Sequence, residues 1–232
     1  MARISTVSSF YRTLGRSAVQ DIALACLAVW FIGISYGAAA VSSGLPWWFP
    51  VLQGSLVLAG SSELLFVGVI GAGGSPLAAA LAGLGVNARH VPYGLALPDV
   101  LGKGWRRALG THLMNDESVA FSIAQPTQER RRAAYWACGA GVLMSWPLGA
   151  GCGALFAALV PNTGAFGLDA MFPAVIVALV LPALRDLPSL RAAGLGAAIA
   201  LATAPFLPAG IPVLLALAGL AAIGPRRLAS QS

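Results

Sequence analysis

The chain has 232 residues, of which 58% are hydrophobic and only 9% charged. Soluble domains average about 25% charged residues, so this composition excludes a soluble globular protein. The net charge of +6 would suggest a nucleic-acid partner in a soluble protein. Here the basic residues lie at the ends of apolar runs, as in membrane proteins with positively charged cytoplasmic loops. We expect an all-α, polytopic transmembrane helical bundle of about six to eight spans, forming one integral membrane domain over residues 1–232.

The first apolar run covers residues 22–41 and follows three arginines in a cytoplasmic N-terminal segment, residues 1–21. A cleaved signal peptide ending near Ala38-Ala39-Ala40 is the alternative, but the run is long for a signal sequence. We therefore favour a retained first span. Gly33 and Gly37 are four residues apart on it and give a small face for close helix packing.

The second run covers residues 49–70 and contains Gly60-Ser61-Ser62-Glu63 at its middle. Glycine loosens a helix, and serine is a good residue to start a new one. A break here would create a half-helix that begins near Glu63, and such discontinuous helices build substrate sites in transporters. The alternative is a continuous helix whose serines bond back to backbone carbonyls.

The third run covers residues 75–98 and carries Asn87, Arg89, His90 and Tyr93. Asn87 and His90 are three apart and Arg89 and Tyr93 four apart, so each pair shares a helix face. An arginine inside a bilayer is costly unless it finds a partner or water. Alternatives are a purely structural interhelical hydrogen bond for Asn87 and His90, and snorkelling to the interface for Arg89.

Two basic loops, residues 103–107 and 130–132, flank a weaker apolar segment at 108–124. A simple span between the loops would put them on opposite sides of the membrane, against the positive-inside rule. Both loops are cytoplasmic if 108–124 dips into the membrane and returns, or lies at the membrane surface. One of the two runs between residues 50 and 98 must then also be broken or re-entrant, which agrees with a break around residues 60–63.

The segment 108–124 holds His112, Asp116 and Glu117. His112 and Asp116 are four residues apart and are expected to share one helix face. That spacing suits two metal ligands, but no third ligand follows the pattern, so an ion pair or a proton relay is favoured. The three cysteines lie in apolar runs without a CxxC pair, so we expect structural thiols and no metal or cofactor.

Small residues recur every fourth position in the next run, residues 133–160. This ladder indicates a close packing face, either within the chain or against a partner; it consists of Ala137, Gly141, Ser145, Gly149, Gly153 and Ala157. Three further apolar runs follow, at 168–184, 192–207 and 211–223. Arg226 and Arg227 close the chain, so the tail at 225–232 and both termini are expected on the cytoplasmic side of the membrane.

Several of these stretches resemble successive signatures of the AzlC family of permeases. They are Ala59-Gly60-Ser61-Ser62-Glu63, Asn87-Ala88-Arg89-His90 with Tyr93-Gly94-Leu95-Ala96-Leu97, Asn115-Asp116-Glu117-Ser118, and Gly167-Leu168-Asp169-Ala170 followed by Pro173. The resemblance implies a two-component exporter of branched-chain amino acids that works with a small membrane subunit of the AzlD type. The chain has Glu63 where the family often has glutamine, and Asn115 where it has an acidic or threonine-aspartate lead-in.

Together these features predict a secondary transporter, driven by an ion gradient, for branched-chain or other small hydrophobic amino acids. The substrate would bind in a polar centre that draws on Ser61, Ser62, Glu63, Asn87, Arg89 and Tyr93. Proton coupling would use Glu63, His90, His112, Asp116 and Glu117. No ATP-binding motif is present, and no enzyme is expected. The alternatives are an intramembrane enzyme acting on a lipid or lipid-linked substrate, and a channel or non-transporting membrane subunit.

Overall fold

A computed structural model describes residues 13–160, 177, 181, 183–208 and 210–223, with backbone only for 183 and 221–223. Within these ranges all regular structure is helical, which confirms the all-α prediction. Residues 1–12, most of the apolar run 168–184, the stretch at 167–170 with Pro173, and the tail at 225–232 lie outside the described residues.

The described helices follow one another with short connections. In chain order they are α1 (Arg16–Ser42), α2 (Phe49–Leu56), α3 (Ser61–Gly71), α4 (Pro76–Asn87), α5 (His90–Ala96), α6 (Trp105–His112), α7 (Asp116–Ile123), α8 (Gln128–Leu159), α9 (Leu187–Thr203) and α10 (Ile211–Ala216). Short 3-10 turns cover Ala183–Arg185 and Leu217–Ile223.

Of these helices, α1 with 27 residues and α8 with 32 are long and apolar enough to cross a membrane. At 1.5 Å per residue they extend roughly 40 and 48 Å. Their outer faces expose large apolar side chains, which a membrane would cover; examples are Leu24, Leu27, Phe31, Met144, Leu148 and Leu155. The other described helices are shorter, so the expected six to eight spans are not confirmed.

The seam between α1 and α8 is the closest helix contact of the core. Each helix presents glycines to backbone carbonyl oxygens of the other, and a Cβ atom at any of them would crowd or overlap that oxygen. The pairs are Gly33 with Trp146, Gly37 with Ala150, Gly149 with Trp30, and Gly153 with Ile34. The small-residue ladder of α8 therefore packs within the chain, on the Gly33–Gly37 face predicted for α1.

The basic segments gather at one end of the bundle because α1 and α8 run parallel. The Arg130 Nη2 atom at the start of α8 donates to the carbonyl of Leu14, just before α1, at 2.6 Å. Six residues further along α8, the Trp136 indole N–H donates to the carbonyl of Val100 at 3.1 Å. This contact brings the basic loop at 103–107 to the same end, as expected if both basic loops lie on one side of a membrane.

The short helices between α1 and α8 come as interrupted pairs. The chain breaks at 57–60 between α2 and α3, at 113–115 between α6 and α7, and turns tightly at 88–89 between α4 and α5. The breaks predicted around residues 60–63 and within 108–124 are therefore present, whereas a continuous helix over 49–70 is not. These interruptions bring polar backbone and side chains into the interior of the helical assembly.

Candidate functional site

The breaks at 57–60 and 113–115 face each other across a small cavity of about 80 Å³. Its polar wall comes from the breaks and the helix starts that follow them: Ala59, Gly60, Ser61, Asn115, Asp116 and Glu117. Its apolar wall consists mainly of Val29, Ile32, Leu58, Leu64, Val142 and Trp146. Val29 is the middle residue of α1 and Val142 lies near the middle of α8, so the cavity lies about halfway along both long helices. Transporters place their substrate sites near the middle of the bilayer.

The backbone of the first break is strained. Leu58 has φ +52°, a left-handed conformation that non-glycine residues rarely adopt, and Gly60 has φ +59°. Such a conformation costs on the order of 1–3 kcal/mol and persists only where its surroundings enforce it. The Leu58 side chain is buried in the core, which holds this conformation in place.

Glu63 fixes the first break from behind. Its Oε1 atom accepts hydrogen bonds from the backbone N–H groups of Ala59 at 2.9 Å and Gly60 at 3.3 Å. Its Oε2 atom accepts from the indole N–H of Trp146 at 2.6 Å. The side chain is fully buried and does not line the cavity. Glu63 therefore lies behind the wall of the cavity and orients two of its parts, the 59–60 loop and the Trp146 indole.

Trp146 is a site residue that the sequence did not single out. Its ring stacks on that of Tyr36 with centroids 5.0 Å apart, and the Tyr36 hydroxyl donates to Gln53 Oε1 at 2.8 Å. The indole is thus fixed by a ring on one side and by Glu63 at its edge, while it lines the cavity. The sequence offered one signal for it. Trp146 is a bulky aromatic residue beside the small-residue ladder of α8, and such a side chain needs a neighbouring element with room for it.

The second break ends in a side-chain cap on α7. The Asn115 Oδ1 atom accepts from the backbone N–H of Ser118 at 2.8 Å, and the Ser118 hydroxyl oxygen accepts from the Asn115 N–H at 3.0 Å. This reciprocal pair is a capping box. It starts a new helix at Asp116, with the Asp116 and Glu117 side chains at the cavity.

Asn115→Ala should lower the free energy of unfolding by about 1 kcal/mol, because it removes this cap. Asn115→Ser is the matched variant, since serine can accept the same hydrogen bond, and it should retain most of the stability. Thermal unfolding of the purified proteins in detergent measures both. Equal losses for the two variants would mean that the cap is not what Asn115 contributes.

Arg89 joins the two breaks. Its Nε and Nη2 atoms donate to the two carboxylate oxygens of Asp116 at 2.9 and 3.1 Å. Nη2 also donates to the carbonyl of Ala59 at 2.8 Å, and Nη1 donates to the carbonyl of Val86 at 3.0 Å. The Tyr93 hydroxyl donates to Asp116 Oδ1 at 2.8 Å. Arg89 thus has internal partners, and Arg89 and Tyr93 act from one face, as their spacing predicts.

A second, wider cleft of about 740 Å³ lies on the other side of the breaks. Its polar lining consists of Asn87, His90, Arg107, Thr111 and His112. It therefore includes both histidines of the protein. His90 Nδ1 lies 2.9 Å from the carbonyl oxygen of Asn87, a local contact within the 87–90 turn. The histidines are therefore separated from the small cavity.

The prediction that His112 and Asp116 share one helix face is wrong. Helix α6 ends at His112 and α7 begins at Asp116, because Asn115 caps a new helix between them. His112 lines the cleft, whereas Asp116 lines the small cavity. Among the residues that the structure describes, no three metal-ligating side chains lie close enough to hold a metal ion.

The structure gathers some of the sequence-predicted residues and separates others. Ser61, Asp116 and Glu117 line the small cavity, with Arg89 and Tyr93 bonded to Asp116. Ser62 is buried, and its hydroxyl has no hydrogen-bond partner in the described part of the chain. It packs against the Gly83 position of α4 and, like Glu63, is not part of the cavity lining.

Comparisons with known proteins find a matching family and similar proteins. A family model described as AzlC protein matches residues 25–160. An uncharacterized membrane protein of Haemophilus influenzae is 27% identical over 135 residues, which are 56% of this chain and 55% of the relative. The branched-chain amino acid transport protein AzlC of Bacillus subtilis is 27% identical over 155 residues, 65% of this chain and 60% of the relative.

Each match therefore spans less than two thirds of the relative's own length. No solved structure matches the chain. The matched residues 25–160 include most of α1, all of α8, both breaks and Arg89.

Proposed function

The chain belongs to the AzlC family, and from that premise we propose that it is a secondary transporter exporting branched-chain or other small hydrophobic amino acids. The transport protein named among its relatives and the apolar outer faces of α1 and α8 support a role in a membrane. The proposal includes export as the direction of transport. It also places the protein in the inner membrane of a bacterium, with both termini on the cytoplasmic side.

The observation that carries the proposal is the two-sided chemistry of the small cavity. One wall is formed by aliphatic side chains, among them Val29, Ile32 and Val142, and the opposite wall by the two helix breaks. A branched-chain amino acid has the same division, with an aliphatic side chain on one side and a zwitterionic head on the other. Apolar lining with a few convergent polar groups is the usual composition of a small-molecule site, but such sites measure roughly 300–1,000 Å³. At about 80 Å³ the cavity must widen before it can hold a whole amino acid.

The polar wall offers a partner for each charge of the head. The ammonium group would bind the Asp116 carboxylate, with Glu117 beside it, since both residues line the cavity. The carboxylate would bind at the start of α3, near Gly60 and Ser61, where a helix N-terminus favours an anion, or the Arg89 guanidinium. Glu63 would act indirectly, because its side chain does not line the cavity and its oxygens accept three N–H donors.

Energy would come from an ion gradient, with a proton as the first candidate. Asp116 and Glu117 at the cavity and His90 and His112 at the cleft lie on both sides of the breaks, so a proton could pass between them. A small membrane subunit of the AzlD type is the proposed partner. The exposed apolar side chains provide surface for such a subunit as well as for lipid.

Efflux of preloaded radiolabelled leucine, valine and methionine tests the proposal in cells that express the chain with and without a candidate small subunit. Asp116→Asn should reduce saturable efflux at least about tenfold, because a charge-assisted hydrogen bond contributes about 1.5–3 kcal/mol. The matched control is Asp99→Asn, an exposed carboxylate that lines neither cavity, and its efflux should be unchanged.

Protein levels in the membrane are measured in parallel. Absence of efflux of all three amino acids, with the wild-type protein present in the membrane, contradicts the substrate class. Equal efflux by the Asp116→Asn variant and the wild type contradicts the site.

A further inference from the structure

The small cavity and the wide cleft are separated by a thin wall that both breaks contribute. At the first break, Val57 lines the cleft and Leu58, the next residue, lines the small cavity. At the second break, Met114 lines the cleft and Asn115 lines the small cavity. At two separate places in the chain, therefore, consecutive residues line the two different spaces.

Arg89 is the side chain that ties the two halves of this wall together. It donates to the Ala59 carbonyl of the first break and, through two hydrogen bonds, to the Asp116 carboxylate of the second. The Tyr93 hydroxyl adds a further bond to Asp116. The side chain of Arg89 is 20% exposed and that of Asp116 49%, so the pair is partly accessible to water.

The two breaks differ in how firmly they are held. Glu63 and the buried Leu58 side chain hold the first break in place, whereas the second is a three-residue connection between two short helices, α6 and α7. Interrupted helices can rotate at such connections without unfolding the helices themselves. A single ion pair that closes the gap between two such breaks can act as a latch.

We infer that the Arg89–Asp116 ion pair, with Tyr93, is a gate that closes the small cavity from the wide cleft and must open for a solute to pass between them. The gate deepens the proposed transport function and rests on it. An amino acid fits this gate because its own two charges can replace the two partners. The carboxylate of the amino acid binds Arg89 in place of Asp116, and its ammonium group binds Asp116 in place of Arg89. The ion pair then opens without leaving either charge unpaired.

Cysteine accessibility tests the gate without using the proposed substrate. In a background with Cys26, Cys138 and Cys152 replaced by alanine, Val142→Cys reports on the small cavity and Thr111→Cys on the cleft. Each is treated in membranes with a cationic and with an anionic methanethiosulfonate reagent, with and without Asp116→Asn. Asparagine keeps the size of aspartate and removes its charge, so steric access is matched.

If the gate exists, Asp116→Asn should raise the reaction rate at the Val142→Cys position about tenfold or more with both reagents. The rate at Thr111→Cys should change less than about twofold. The tenfold increase expected at Val142→Cys corresponds to about 1.4 kcal/mol. An increase with the anionic reagent only would be an effect of charge and would overturn the gate, as would equal rates with and without the substitution. If Asp116→Asn is not recovered from membranes, Tyr93→Phe takes its place. The reaction rate at the Val142→Cys position should then again rise with both reagents, and an unchanged rate would overturn the gate.

The gate and the proposed function fail in distinguishable ways. If Asp116→Asn opens the cavity while the wild type exports no amino acid, the gate stands and the substrate assignment falls. If the wild type exports leucine while the Val142→Cys position stays closed in the Asp116→Asn variant, transport stands and the gate falls.

Discussion

Gly153→Ala is expected to destabilise the folded protein by at least about 2 kcal/mol, although it adds only a methyl group. The new Cβ atom would overlap the carbonyl oxygen of Ile34 on the facing helix. Neither atom can turn away, because one is backbone and the other is fixed to it. Helices α1 and α8 must then move apart, and the other close approaches of the seam at Gly33, Gly37 and Gly149 weaken together.

Gly194→Ala is the matched control, because Gly194 is also helical and a Cβ atom there would meet nothing within 4 Å. Alanine favours a helix over glycine by about 1 kcal/mol, so this variant should be as stable as the wild type or more so. Thermal unfolding of both proteins in the same detergent measures the difference. Equal melting temperatures for the two variants would show that α1 and α8 do not approach as closely as described.

The sequence predicts features that depend on neighbouring residues. The all-helical class follows from composition, and the break before Ser61 follows from glycine and serine inside an apolar run. The small-residue ladder of α8 predicts a close contact but not its partner. That partner is α1, whose Gly33 and Gly37 have the same four-residue spacing, and only the three-dimensional arrangement distinguishes this contact from one with another protein.

The sequence does not predict contacts between distant residues. The partner of the Glu63 carboxylate is Trp146, 83 positions away, and nothing near either residue indicates the pairing. The expected His112–Asp116 face fails because helical spacing was applied across a position where Asn115 begins a new helix. Arg89 and Asp116, by contrast, each stood out as charges in apolar surroundings, although their pairing did not.

Glu63→Gln is expected to lower the free energy of unfolding by about 1–3 kcal/mol, because it leaves a buried N–H donor without an acceptor. The carboxylate accepts from Ala59 and Gly60 on one oxygen and from Trp146 on the other. An amide has one acceptor oxygen, so its NH2 group must face either the 59–60 loop or the indole, and both are donors.

A double-mutant cycle with Trp146→Phe isolates the contact between Glu63 and the indole. Phenylalanine can retain the stacking on Tyr36 and removes the indole N–H, so the glutamine NH2 group no longer faces a donor there. The cost of Glu63→Gln should therefore be smaller in the Trp146→Phe background. An undiminished cost would show that the contribution of Glu63 to stability does not come from this bond.

The same variant separates two roles for Glu63, proton coupling and positioning of the cavity wall. A residue that carries the coupled proton can be replaced by its neutral analogue without loss of folding. Glu63→Gln would then keep its melting temperature and its leucine exchange, and leucine efflux would no longer respond to a pH gradient. A positioning residue predicts the reverse: the melting temperature and the exchange rate fall together, and the remaining efflux still responds to the gradient. We expect the second result, because all three contacts of the carboxylate are with N–H groups that shape the 59–60 loop and the Trp146 wall.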